Sequence, residues 1–265
     1  RNPFLGRVLT GRIASGSVKP GDPIHTLNRD GKEVEKGRVS KVLAFRGLER
    51  TPIELGEAGD IVAIAGLETS TVADTICTPA VTTPITAKPI DPPTLSVTFR
   101  INDGPLAGRE GDKVQSRVIR ERLMREAEGN VAIRVTPGDD NDSYDVAGRG
   151  ELQLGVLIEN MRREGFELTI GRPKVLFKEE NGVRMEPVEE VIIDVDDEHT
   201  GAVVQKLTER KGELTDMRPS GVGRTRIRLL VPTRSLIGYQ AELLSDTRGT
   251  AIFNRLFHDF VPYKG

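Results

Sequence analysis

The run from Gly148 to Leu168 leaves the chain little conformational choice. Gly148-Arg149-Gly150 is a turn. Leu154, Leu157, Ile158 and Met161 then recur at three- and four-residue spacing, which predicts a helix with one apolar stripe. Arg162 and Arg163 fall in its last turn, where cations suit the helix dipole. Gly165 can stop the helix in the left-handed conformation. Beyond it Phe166, Leu168 and Ile170 alternate as in a half-buried strand. Glycine turn, helix and strand in this order open the second half of a split βαβ unit.

The whole unit reads β-α-β-β-α-β over residues 94–170. Leu95, Val97, Phe99 and Ile101 alternate as its first strand. A glycine-rich loop runs from Gly104 to Gly111, and Asp112 is placed to cap a helix lined by Val118, Ile119, Leu123 and Ala127. Gly129-Asn130 ends that helix. Val131, Ile133 and Val135 form the next strand, and Tyr144 and Val146 lie beyond the turn at Gly138–Asp142. Residues 187–262 repeat the order. Val191, Ile193 and Val195 alternate; Val203, Val204 and Leu207 make a helix stripe stopped by Gly212. Leu214 and Met217 belong to a short strand. Gly221-Val222-Gly223 turns into a longer one bearing Ile227, Leu229 and Val231. Ser235 is placed to cap a helix with Leu236, Leu243 and Leu244, and residues 251–261 form a nearly continuous apolar strand. Two such units in tandem predict two ferredoxin-like, antiparallel sheets, each with both helices on one face and the other face open.

Residues 1–87 have no helical period. Short β-like runs such as Val39–Phe45, Asp60–Ala65 and Val72–Cys77 alternate with glycine and proline turns, which predicts a small closed β-barrel. Residues 79–93 hold Pro79, Pro84, Pro89, Pro92 and Pro93, and proline cannot donate to a sheet ladder. The expected division is a barrel at 1–87, a linker at 88–93, and ferredoxin-like domains at 94–180 and 181–265. Position 1 is Arg and strand-like sequence begins at once, so the chain reads as a piece of a longer protein.

Several function classes drop out. The 265 residues carry a formal net charge of −2, so nucleic acid would have to be held by a local patch rather than by overall charge. Cys77 is the only cysteine, so no internal disulfide forms, which fits a reducing compartment; it reads as a buried, inert thiol. No apolar run is long enough to cross a bilayer. Phosphate-loop, nucleophile-elbow and zinc-protease motifs are absent, and Gly221-Val222-Gly223 precedes a strand, not a helix. His25, His199 and His258 lack ligand spacing, so no metal site is expected. The acidic run Glu186, Glu189, Glu190, Asp194, Asp196, Asp197 and Glu198 offers oxygen ligands for a hard cation but lacks calcium-loop spacing, so it reads as a solvated strand edge. The loop at Gly104–Gly111 with Arg109 is the one place a phosphate cradle could form. It supports a rival reading, a ferredoxin-like enzyme that hydrolyses acyl phosphates or binds a small ligand.

The basic cluster from 206 to 234 says more. Lys206, Arg210, Lys211, Arg218, Arg224, Arg226, Arg228 and Arg234 stand against Glu209, Glu213 and Asp216. Arg224, Arg226 and Arg228 alternate with Ile227 and Leu229, so on a strand they share the open face. Two readings follow: a surface for an RNA phosphate backbone, or a solvated face paired with acids of a neighbouring strand. No aromatic accompanies them, which disfavours stacking of single-stranded bases.

Several motifs then resemble one family. Asn2-Pro3-Phe4-Leu5-Gly6-Arg7-Val8 with Gly11-Arg12-Ile13 and Gly16 resembles the second-domain barrel of translation factors. Asn102-Asp103, Pro105 and Ala107–Gly111, the run 148–168 with Arg172-Pro173, and Pro232, Arg234, Leu236-Ile237-Gly238-Tyr239 and Thr247-Arg248-Gly249 resemble the BipA/TypA ribosome-associated translational GTPases. Thr233 and Ser235 stand where that family usually has serine and glycine. The resemblance covers the middle of the family architecture. It implies a ribosome-docking fragment that binds ribosomal RNA and protein near the factor-binding site. It further implies a role in large-subunit assembly and in stress or cold adaptation, in a monomeric, cytoplasmic, bacterial-type protein with no membrane partner. GTP and Mg would belong to a GTP-binding domain outside these residues, so no catalytic, cofactor-binding or metal-binding residue carries over.

Overall fold

The computed structural model describes residues 4–265; Asn2 and Pro3 of the first motif lie outside the described residues. The chain divides into two compact units, Arg1–Ile90 and Asp91–Gly265.

The first unit is all β: β1 (Val8–Arg12), β2 (Ser17–Val18), β3 (Pro23–Leu27), β4 (Glu33–Arg38), β5 (Lys41–Arg46), β6 (Glu49–Ile53), β7 (Gly56–Glu57), β8 (Ile61–Ala65) and β9 (Thr75–Cys77). The expected closed barrel is not there. Among the described residues the strands form three antiparallel sheets, ordered β1-β8-β5-β6, β2-β7 and β4-β3-β9. The local sequence explains the interruption. β6 contains Pro52 and β3 begins at Pro23, each lacking an N–H for a ladder, while β2 and β7 are two residues long. A bulge at Thr26/Leu27 adds a further break. The three sheets still enclose one aliphatic core, with Ile24 of β3, Val42 of β5, and Val62 and Ile64 of β8 buried against Leu9, Val18, Ile53 and Ile76.

The proline-rich segment is not a loose spacer. The Val81 carbonyl lies 2.8 Å from His25 Nε2, the Ile85 N–H donates to Thr75 Oγ1 at 2.9 Å, and Arg29 Nε donates to the Ala87 carbonyl at 3.0 Å. These bonds fasten it to the first unit up to residue 87.

The second unit begins with β10 (Leu95–Ile101), α1 (Ser116–Gly129), β11 (Arg134–Pro137), β12 (Ser143–Gly148), α2 (Glu151–Arg163), β13 (Leu168–Ile170) and β14 (Lys174–Val175). The sheet order is β11-β12-β10-β13, with β14 also on β10, and every pair is antiparallel. Leu95, Val97 and Phe99 pack against Ile119 and Leu123 of α1 and Leu154, Leu157 and Met161 of α2. Each such fully buried side chain contributes roughly 1.5–3 kcal/mol. Asp112 does not cap α1. Lys113 is spent in a parallel bridge to Phe166, with Lys113 N–H donating to the Gly165 carbonyl at 3.1 Å. The chain is therefore extended there, and the helix starts after Gln115.

Next come β15 (Lys178–Glu180), β16 (Val183–Asp196), a 3-10 turn (Asp197–His199), α3 (Thr200–Glu209), β17 (Glu213–Gly221), β18 (Arg224–Pro232), α4 (Thr233–Leu236), α5 (Tyr239–Asp246) and β19 (Ile252–Pro262). β16 pairs antiparallel with β18 and β19, β17 with β18, and β15 with the start of β16. Val191, Ile193, Ile227 and Leu229 pack on Val203, Leu207, Leu236 and Leu243. Ser235 is not a cap either: it lies inside α4 and its Oγ donates to the Arg210 carbonyl at 2.6 Å. The helix breaks at Ile237-Gly238, where Gly238 has φ +73°. The break releases Ile237 to pack on the core of the preceding sheet. β19 alternates rather than running continuously apolar, and Leu256 is 65% exposed.

Candidate nucleic-acid interface

Alternation along β18 turns Ile227, Leu229 and Val231 into the core and leaves Arg224, Arg226 and Arg228 on the opposite face. The register of β16 places Asp196 opposite Arg224 and Asp194 opposite Arg226. Ion pairs follow: Arg224–Asp196 at 2.9 Å, Arg226–Asp194 at 3.1 Å and Arg228–Glu190 at 3.3 Å. On the neighbouring edge Arg218 meets Asp216 at 2.8 Å. The arginines thus lie in a ladder of opposite charges, an arrangement that stabilises a sheet by about 0.2–1 kcal/mol per pair. The hydrogen bond from Arg226 is the main cause holding the Asp194 carboxyl below its ordinary range; the Ser220 hydroxyl and the Arg224 charge add to it against an opposing effect of burial.

The remaining candidates are placed elsewhere. Lys206 reaches Glu242 at 3.0 Å and Asp246 at 2.6 Å; Arg210 pairs with Glu242 and donates to the Ser235 carbonyl at 3.1 Å. These contacts clamp α3 to α5. Burial, reinforced by Asp246 and Glu242, pushes the hydroxyl of Tyr239 beneath them up to about 12. Arg234 Nε lies 2.7 Å from Glu186 Oε2, and Glu186 is fully buried. Lys211, left-handed at φ +70°, has no acidic partner among the described residues. The eight cations therefore do not form one patch: four line a sheet face with acids between them, three tie elements together, and one ends a helix.

The structure names the acids that the second reading of the arginine face left unspecified. Asp194 and Asp196 alternate with Val191, Ile193 and Val195 with the same period of two as the arginines with Ile227 and Leu229. Pairing the two alternations antiparallel would have brought the charges together. Glu186, Glu190, Asp194 and Asp196 of the acidic run are thus partners of the basic cluster, while Glu189 pairs with Arg255.

The rival cradle is occupied by the protein itself. Glu167 is 6% exposed, and its carboxylate accepts the Gly108 N–H at 2.8 Å and a bond from Asn102 Nδ2. Burial works to raise the Glu167 carboxyl, but these donors, with the Glu110 and Gly111 amides, hold it below its ordinary range. A resident carboxylate takes the amides that a phosphate would need. At the other end of the unit, ligand atoms of Asp196, Glu198 and His199 come within 4.8 Å of one another, closer than the histidine spacing suggests. The Arg224 guanidinium on Asp196 already supplies positive charge there. His25 is buried against Glu33 at 3.0 Å. Cys77 is half-buried rather than buried, and its partial burial pushes the thiol up.

Residues 6–77 match the model of elongation factor Tu domain 2, and residues 183–265 that of the elongation factor G C-terminus. A large ribosomal subunit assembly factor BipA of Bacillus subtilis is 46% identical over 261 residues, covering 98% of this chain and 42% of that protein. Its namesake in Salmonella typhimurium is 45% identical over 259 residues, with the same coverage. The Synechocystis one is 43% identical over 262 residues, 99% of this chain and 44% of that protein. The chain spans less than half the length of these curated relatives. Over nearly all its residues it is homologous with the BipA proteins, as its motifs imply.

Proposed function

We propose that this chain, a homologue of BipA along almost its full length, is the ribosome-docking part of a translational GTPase active in large-subunit assembly. The observation that carries the reading is an identity of 43–46% with BipA proteins over 98–99% of this chain. In this reading residues 1–87 are the translation-factor second domain, residues 88–93 the linker, and residues 94–180 and 181–265 two ferredoxin-like domains. The strand orders and the placing of helices on one face of each sheet support that division. GTP and Mg belong to a domain outside these residues. The chain itself contributes contact surface, with no catalytic residue, as a cytoplasmic monomer whose partners are ribosomal RNA and proteins.

On the second sheet the contact residues are Arg218, Arg224, Arg226 and Arg228. They reach phosphate by exchanging their acid partners, at least cost for Arg218, whose exposed pair with Asp216 contributes about 0–1 kcal/mol. The test is sedimentation of the purified chain with large ribosomal subunits at 50 and 200 mM salt. Co-sedimentation that weakens with salt, without GTP, is expected. A chain left in the supernatant at 50 mM salt overturns the reading.

A further inference from the structure

The bare face of the first sheet differs from that of the second. Opposite the core, one row crosses four strands: Arg134 of β11, Ala147 of β12, Ser96 of β10 and Lys174 of β14 are successive partners. The next row carries Thr136 and Thr98 on either side of Asp145. Arg134 and Lys174 are exposed, and neither has an acidic partner among the described residues. Between them the floor is small and rich in hydroxyls, with no aromatic. Asp145 already accepts the Thr98 hydroxyl at 2.8 Å, and Arg100 is paired with Asp140 at 3.3 Å. On the second sheet each arginine has an acid beside it, and exposed Ile252 and Leu256 flank the ladder on β19.

We propose that the face between Arg134 and Lys174 is a contact surface for the sugar–phosphate backbone of double-helical RNA. This rests on the docking reading for its choice of RNA over other polyanions. Three inter-strand steps of about 4.8 Å separate the cations by roughly 14 Å. The flat floor lets a wide object approach closely. An A-form duplex presents a wide, shallow groove edged by phosphates and 2′-hydroxyls, which suit cations at the rim and Ser or Thr hydroxyls in the middle. Single strands suit it poorly, because no ring is there for a base to stack on. No resident acid has to be displaced from either cation.

Filter binding of the whole chain to a 20-base-pair RNA duplex tests this. Each lost phosphate contact lowers the slope of log affinity against log salt by about one. The double variant Arg134→Ala/Lys174→Ala should therefore lose about tenfold less affinity than the parent chain between 50 and 200 mM salt. Thr136→Glu, which puts a charge in the floor and leaves both cations, should weaken duplex binding while the circular dichroism spectrum stays unchanged. A parent chain that ignores the duplex at 50 mM salt, or variants that bind like the parent, overturns the proposal. Ribosome sedimentation lost in the double variant without any duplex binding also overturns it, because the face would then meet protein. A chain that sediments with subunits but not with duplex keeps the docking reading and sinks this surface; grip on the duplex through Arg134 and Lys174 without sedimentation does the reverse.

Discussion

At the scale of single residues, the ion pairs differ by burial. Arg218 and Asp216 are an exposed pair, with Arg218 77% exposed, so Arg218→Ala should change stability by less than about 1 kcal/mol. Arg234 holds a carboxylate that has no access to water, and Arg234→Ala strands that charge. The expected loss is about 3 kcal/mol, read as a lower denaturant midpoint. An Arg234→Ala chain as stable as the parent would show that Glu186 finds another partner. Loss of RNA binding in this variant would report folding rather than contact. Acid sensitivity has a similar origin. The Asp194 carboxyl lies below its ordinary value in the folded state, so the unfolded chain takes up the proton first as pH falls. Its contribution is present above about pH 4, the unfolded range for Asp, and is lost as pH falls through the folded value. Urea midpoints at pH 6 and pH 3 should drop less in Asp194→Asn than in the parent, and equal drops would refute the assignment.

At the scale of elements, backbone geometry decides more than side-chain chemistry. Gly66, just after β8, has φ +123°, and a Cβ there would strike the Arg38 carbonyl oxygen, with Ser40 N at 3.0 Å. Gly59 has φ +95° and open space around it. Gly59→Ala should cost about 1 kcal/mol from φ alone, and Gly66→Ala at least about 2 kcal/mol more. Equal effects on the first unit's melting would mean that the turn at Gly66 gives way. The glycine count predicted turns here, but it could not tell a glycine needed for φ from one needed for space. Helix α2 was legible because stripe, dipole charges and stop agree over residues 150–165. The starts of α1 and α4 were not. Asp112 and Ser235 are both good caps in isolation, and long-range partners, Phe166 for the neighbouring Lys113 and the Arg210 carbonyl for Ser235, override them. The barrel failed for the same reason: local turn signals say nothing about whether distant edges meet. The arginine face was legible, but its neutralisation required the register between β16 and β18.

At the scale of the whole molecule, the question is how many pieces melt independently. The sequence divides residues 94–265 at 180, yet contacts bind the two sheets of the second unit. Ile237, released by the break at Gly238, packs on the core of the first sheet. The Gly238 N–H donates to Glu151 at the start of α2 at 3.2 Å. Arg255 of β19 lies 3.8 Å from the same carboxylate while gripping Glu189 through two bonds of 2.8 and 2.7 Å. The partly buried Ile237 side chain adds a share of the roughly 1.5–3 kcal/mol that full burial would give, and together with the polar contacts it couples two small domains of marginal stability. The first unit has its own core, and its tether is fastened as far as Ala87. Calorimetry should therefore show two transitions, not three, with early proteolytic cuts between residues 88 and 93. Ile237→Asp puts a charge in the joint and should split the second unit's transition in two while leaving the first unit's midpoint unchanged. Three transitions in the parent chain would mean that the contacts through Ile237, Gly238 and Arg255 hold the sheets together too weakly to unfold as one.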